Sequence, residues 1–253
     1  MLTILYRGCD KEWQTPSTQP NRPHWFSKIN CFNSLHLSLL NSKYKENIKL
    51  IVFMDGDKSP MSDFMESCGY DLIYLKFNSG LKSLMYQLNF SNDIDEDIYF
   101  LEDDHLHRID AIDHLYTGVR KFGLVTGWDN MDRYTRKDDI TYNHESIKFY
   151  EGIHWRTADS TGLSYLVAKE IKQIIVNTQK QLGWQDRAFF IHLYHQYGIR
   201  LWQPIPGVST NIVLQPITYL THPNHDKSLS GVWTSAMSPG IDWEEINNLC
   251  KAK

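Results

Sequence analysis

Three carboxylates and an imidazole follow one another in Glu102-Asp103-Asp104-His105, directly after the apolar run Ile98-Tyr99-Phe100-Leu101. Four apolar residues in a row predict a strand buried on both faces, so the acidic residues fall at its carboxyl end. Like charges packed side by side raise carboxylate pKa values and cost stability unless a cation or a proton relieves them. Hard oxygen donors with a nearby His suit Mg²⁺ or Mn²⁺. The plainer reading is an acidic turn opening the next helix, where negative charge suits the helix N-terminus. His105 is then either a metal ligand or a helix-start residue.

Other residues can serve a nucleotide. Arg7 ends an apolar run at the start of the chain, and its planar fork suits the oxygens of a diphosphate. Lys82, one turn into a predicted helix, can face the same phosphates. Asp55, in the turn signature Asp55-Gly56-Asp57, can accept a hydrogen bond from a base N–H. Their ordinary alternatives are a turn former for Asp55 and solvated surface charges for Arg7 and Lys82. No GxGxxG or GxxxxGK[ST] follows the first strand, which disfavours a dinucleotide fold and a P-loop. A metal must then supply most of the neutralisation of any diphosphate bound here.

Three further candidates lie downstream. In Gly183-Trp184-Gln185-Asp186-Arg187, Asp186 beside an aromatic wall can be a general base, or simply a helix-start carboxylate satisfying free N–H groups. In Tyr219–Asp226, His222 or His225 can place an imidazole on a metal, and Pro223 stiffens the turn after His222, which favours His222. Surface His in a polar loop is the alternative. Among Trp128, Trp155, Trp184 and Trp202, Trp184 is favoured as the floor of an acceptor-sugar site, with Trp155 second; core packing is the commoner use of each.

The elements that must position these groups alternate. Strands are predicted over 2–6, 48–54, 71–77, 97–101 and 123–126, and helices over 25–40, 61–68, 81–88 and 109–121. This β-α-β-α-β-α-β order predicts a parallel α/β sheet with right-handed crossovers, whose strand ends at 7–10, 55–57, 78–80 and 102–105 share one rim. Beyond 127 the pattern loosens: a polar loop over 129–144, a strand within 147–155, a strand passing into a helix over 164–178, a helix over 185–197 and a strand at 199–202. From Pro204 the chain reads as a tail folding over a site. No linker divides the 253 residues, so a single domain is expected, with 1–127 the nucleotide-binding half and 128–253 the acceptor-binding half and C-terminal tail.

Composition narrows the partners. Hydrophobic content of 42% is enough for a full core, and a net charge of −4 gives no basis for a nucleic-acid or anionic-membrane partner. The four cysteines form no CxxC pair, and the start of the chain has neither a secretory apolar region nor a membrane anchor. A cytoplasmic protein is expected.

Taken together, these residues resemble the GT-A-fold glycosyltransferases that use nucleotide-sugar donors. The likeness rests on the opening strand, the second strand ending in Asp55, the apolar strand ending in Glu102-Asp103-Asp104, and Asp186 on a later helix. The EDD form is similar to the DxD variant of the N-acetylglucosaminyltransferase I family. So is the downstream layout of Gly162-Leu163-Ser164-Tyr165-Leu166, Trp184-Gln185-Asp186-Arg187 and Gly207-Val208-Ser209. The resemblance implies a Rossmann-like, mostly parallel open sheet with a smaller mixed second half. It implies Mn²⁺ or Mg²⁺ on Asp104, Glu102 and Asp103 near ribose, sugar or metal waters, Ser209 near the donor phosphates, and Asp186 as base in an inverting transfer to an acceptor hydroxyl. UDP is the favoured nucleotide because the EDD-type relatives use it. The chain departs from the pattern at Thr210, where many GT-A enzymes carry a His; His222 comes later. A metal-dependent phosphohydrolase or nucleotidyltransferase, or a non-catalytic nucleotide-sugar-binding domain, would use the same acidic rim.

Overall fold

The strands Leu2–Cys9 and Asp97–Glu102 are buried along nearly their whole length and separate two helical layers. The structure, a computed structural model, describes residues 1–9, 22–130, 134, 146–216, 233–235 and 237–251. The elements in order are β1 (Leu2–Cys9), α1 (Lys28–Asn41), β2 (Ile48–Asp55), α2 (Pro60–Ser67), β3 (Leu72–Leu75), α3 (Gly80–Phe90), β4 (Asp97–Glu102), β5 (His105–His107), α4 (Ala111–Phe122) and β6 (Leu124–Val125). The second half continues with β7 (Ile147–Tyr150), β8 (Ile153–Ala158), β9 (Tyr165–Val167), α5 (Lys172–Leu182), α6 (Asp186–Tyr197), β10 (Leu201–Ile205), β11 (Ser209–Asn211), β12 (Leu214–Pro216), β13 (Trp233–Ser235) and α7 (Trp243–Leu249).

One nine-stranded sheet runs in the order β3-β2-β1-β4-β9-β6-β10-β8-β7. β3, β2, β1 and β4 pair in parallel, and β6 pairs in parallel with β10. β9 and β8 run against their neighbours, so the other seven strands share one direction. The chain is therefore an α/β protein with a mostly parallel mixed sheet flanked by helices.

Alternation along each strand fills the two layers. Leu2, Ile4, Tyr6, Val52, Met54, Tyr99 and Leu101 pack under α1, α2 and α4 with Phe32, Leu35, Met65, Ile112 and Leu115. Leu5, Phe53, Ile98 and Phe100 face the opposite layer, against Leu84 and Leu88 of α3, Ile175 and Val176 of α5, and Phe189, Phe190 and Leu193 of α6. Burial on both faces is what made these strands legible as continuous apolar runs.

The residues after Glu102 do not open a helix. Asp103 and Asp104 turn the chain into β5, which pairs antiparallel with β11 through His105↔Asn211, Leu106↔Thr210 and His107↔Ser209. The helix begins only at Ala111. The strand expected within 147–155 is a hairpin, β7 and β8, reversing at Glu151 (φ 50°) and Gly152 (φ 79°). Two consecutive positive φ values are the mark of a tight hairpin turn matched to strand twist. Most of the predicted loop over 129–144 lies outside the described residues.

Candidate functional site

β1 carries β2 on one side and β4 on the other, so the strand order reverses between β1 and β4. In open α/β sheets ligands bind in the crevice outside the carboxyl ends of the strands where the strand order reverses. Arg7 of β1 lies in register with Glu102 of β4. Cys9 at the end of β1 lies beside Asp55 at the end of β2. The acidic motif therefore borders the crevice.

Each of its three carboxylates has its own cation. Arg7 Nη2 pairs with Glu102 Oε1. Lys28 Nζ lies 2.9 Å from Asp103 Oδ2, which also accepts the Cys9 N–H at 2.9 Å. Arg22 Nη2 lies 2.7 Å from Asp104 Oδ2. The other Asp104 oxygen, Oδ1, accepts from Asn211 Nδ2 at 2.9 Å and faces His105 Nδ1 at 3.0 Å. The repulsion among the carboxylates is thus relieved inside the protein, whereas the sequence pointed to a metal for that purpose. Lys28 stands at the first position of α1, which Ser27 caps by accepting the Asn30 N–H. Arg22 donates a second bond to the Ile212 carbonyl, and its guanidinium lies over the Phe26 ring, 4.6 Å from the centroid.

Electrostatics separates Glu102 from Asp104. Burial, reinforced by Asp104 and Asp103 and opposed by Arg7, pushes the Glu102 carboxyl up to about 7. Burial also works against the charge of Asp104, but hydrogen bonding to His105 and the Arg22 guanidinium hold its carboxyl well below the usual range. Burial opposes the Lys28 ammonium too, yet Asp103 beside it holds Lys28 above its usual value. Asp104 is therefore more firmly anionic than Glu102.

Around Arg7 a second cluster forms. Its guanidinium lies 5.2 Å from the Trp184 ring centroid, and Nη1 reaches the Gly80 carbonyl at 3.4 Å. A Cβ on Gly80 would come within 2.8 Å of Trp184 Cζ2, so only glycine lets the indole lie there. Trp184 remains 45% exposed at the rim, while Arg7 is buried and its Nε has no hydrogen-bond partner. Asp55 spends both oxygens on the loop before α3: Oδ1 accepts from the N–H groups of Phe77 (2.8 Å) and Asn78 (3.0 Å), and Oδ2 from Ser79 (3.1 Å). It braces the rim, and a base N–H would share oxygens already in use. Lys82 is exposed in the first turn of α3.

Asp186 begins α6 and its carboxylate closes the loop 161–163. Oδ2 accepts from Thr161 N (2.9 Å) and Gly162 N (3.2 Å), and Oδ1 from Thr161 Oγ1 (3.1 Å) and Leu163 N (3.4 Å). Burial raises its carboxyl, while these donors pull it down; the outcome is upward. Leu163 itself takes φ 64° in this loop.

Two expected site residues prove to be interior. Trp155 is 1% exposed and lies over Gly118 and Phe122, so it builds the core and has no face for an acceptor. Ser209 is 1% exposed, its side chain set against Gly127, so it is closed off from donor phosphates by β11 pairing with β5. His105 is likewise not a helix-start residue but a buried strand residue. His222 and His225 lie outside the described residues.

Among the described residues no three His, Cys, Asp or Glu side chains gather into a metal-holding group. A hard divalent cation that shares its shell with substrate phosphates and water needs only one or two carboxylates. Asp104 suits that pattern by charge and donor type, on the condition that Arg22 yields Oδ2. No helix among the described residues is long and apolar enough to cross a membrane.

No protein-family model and no curated protein matches the chain. Among solved structures it is similar to CMP:2-keto-3-deoxy-manno-octonic acid synthetase complexed with CTP, at 12% identity and a TM-score of 0.45, over 82% of this chain and 92% of that one. It is also similar to a mycobacterial protein, at 9% identity and a TM-score of 0.45, over 80% of this chain but only 64% of that one. At those scores neither likeness bears on what this chain does.

Proposed function

We propose that the chain is a glycosyltransferase that moves a sugar from a nucleoside-diphosphate donor, UDP-sugars being favoured, to an acceptor hydroxyl. The observation that carries this reading is the gathering of Arg7, Lys28, Arg22 and the Glu102-Asp103-Asp104 run at the switch point between β1 and β4. A diphosphate placed there meets guanidinium and ammonium groups whose present partners are carboxylates of the same crevice. Arg7 and the exposed face of Trp184 flank the donor, and Asp55 fixes the loop that ends beside them. Asp104, kept anionic by its neighbours, would hold Mn²⁺ or Mg²⁺, which supplies Lewis-acid stabilisation of charge on the leaving diphosphate. Asp186, next to Trp184, is assigned as the base that takes the proton of the attacking hydroxyl, giving inversion at the anomeric carbon. Its carboxyl, raised by burial, is better matched to proton abstraction near neutral pH than an exposed aspartate. To reach a hydroxyl it must release one of the N–H donors of 161–163.

A donor screen tests this reading. The protein is incubated with UDP-, GDP-, TDP- and CMP-sugars and Mn²⁺, with and without mixed sugar acceptors, and products are resolved by mass spectrometry. Release of nucleoside diphosphate with a new glycoside is expected. Pyrophosphate release from a nucleoside triphosphate and a free sugar would replace the reading with a nucleotidyltransferase. No turnover and no binding of any nucleotide would end it.

A further inference from the structure

Among the described residues, each carboxylate of the Glu102-Asp103-Asp104 run already faces a cation before any ligand arrives. A nucleoside diphosphate alone would bring two or three negative charges to the crevice, and a divalent cation alone would find every carboxylate already paired. Only one pair blocks the oxygen that a cation needs. Arg22 Nη2 sits 2.7 Å from Asp104 Oδ2, and the remaining oxygen is committed to Asn211 and His105. Arg22 reaches there from the segment before α1, with Phe26 beneath its guanidinium and the Ile212 carbonyl and Asn211 Oδ1 (3.4 Å) as further acceptors.

We infer that Arg22 is a resident counter-ion that competes with a divalent cation for Asp104, so that cation and nucleoside diphosphate bind well only together. This inference rests on the donor site proposed above. When a cation takes Oδ2, the guanidinium loses its carboxylate and keeps its charge, and the phosphate oxygens arriving with that cation are the matching partner. Removing Arg22 then has opposite effects on the two ligands. Mn²⁺ alone binds more tightly, because no guanidinium occupies Oδ2 of Asp104. The nucleotide binds less well, because one of its cations is gone.

The experiment measures free Mn²⁺ by electron paramagnetic resonance during titration of the full chain, first without nucleotide and then with UDP. Arg22→Gln should tighten Mn²⁺ binding in the absence of UDP by about tenfold, which corresponds to about 1.4 kcal/mol. The gain should vanish in the double variant Arg22→Gln with Asp104→Asn. Wild-type protein should take up Mn²⁺ more strongly when UDP is added, and Arg22→Gln should show a smaller enhancement. Arg22→Lys, which keeps the charge and shortens the reach, covers the case of a poorly folding Gln variant; its Mn²⁺ affinity should fall between the two. An Mn²⁺ affinity in Arg22→Gln and Arg22→Lys equal to or weaker than wild type overturns the competition. Absence of any UDP effect on wild type, with the tightening in Arg22→Gln intact, instead overturns the donor-site reading and leaves the competition standing.

Discussion

The contact between Gly80 and Trp184 allows binding and stability to be separated. A methyl group at Gly80 would sit 2.8 Å from Cζ2 and 3.0 Å from Cη2 of Trp184, closer than carbon atoms tolerate. The indole is 45% exposed and can swing outward, so Gly80→Ala should fold. Losing the stack on Arg7 costs about 0.5–1 kcal/mol at a partly exposed site. Gly80 is the first residue of α3, where Ala returns less than the roughly 1 kcal/mol of a helix interior. The net loss stays within about 1 kcal/mol, and Tm should fall by no more than about 4 °C. Nucleotide binding has no such compensation. Arg7 loses the face that orients its guanidinium beside Glu102, and about 1–2 kcal/mol of binding corresponds to a Kd weakened about 5- to 30-fold. Isothermal titration with UDP and Mn²⁺, beside a thermal melt, reads both quantities, and Trp184→Ala should match the binding loss. A Kd unchanged within about twofold in both variants would refute the role given to the Arg7–Trp184 pair.

Three other outcomes follow from the packing and the charges. Gly118→Ala would drive a Cβ to within 2.7 Å of Cζ2 and 2.9 Å of Cζ3 of the buried Trp155, and overpacking of this kind should cost about 1–3 kcal/mol in a denaturant titration; no loss would mean that Trp155 is not fixed in the core. Burial lowers His107 to about 3, so its unfolded-state imidazole binds a proton first as pH falls. Stability from His107 is complete above about pH 6.5 and lost toward pH 3 at about 1.4 kcal/mol per unit. Glu102, raised to about 7, works in the opposite sense between its unfolded value and pH 7. The difference between wild type and His107→Gln isolates the His107 contribution, and parallel stability–pH curves for the two proteins would contradict it. Asp186→Asn should keep UDP binding while transfer falls about 10²- to 10⁴-fold; a rate near wild type would remove Asp186 as the base.

The parallel half was readable because its strands are apolar on both faces and short helices separate them at regular intervals. Ile98–Leu101 announced β4, and the polar residues at the strand ends marked the rim. What escaped was set by contacts distant in sequence. β5 is only His105-Leu106-His107, with no periodicity of its own, and it exists as a strand because Ser209–Asn211 returns to pair with it. Arg22 and Lys28 carry no motif, and the acids they pair with lie 82 and 75 residues onward. Asp55 stood where a ligand group was expected, and three backbone N–H groups of the next loop claim its oxygens. Trp155 is a strand residue whose neighbours Gly118 and Phe122 lie on α4, a relation that only packing reveals.

The most direct test of the central claim is calorimetric titration of the protein with UDP, GDP, TDP and CMP in the presence of Mn²⁺, repeated with Asp104→Asn. If the crevice between β1 and β4 is a nucleotide-donor site, at least one nucleotide binds saturably at one per chain, and Asp104→Asn removes the Mn²⁺-dependent part of that affinity. Binding of none of them, or binding that is indifferent to both Mn²⁺ and Asp104→Asn, would contradict it.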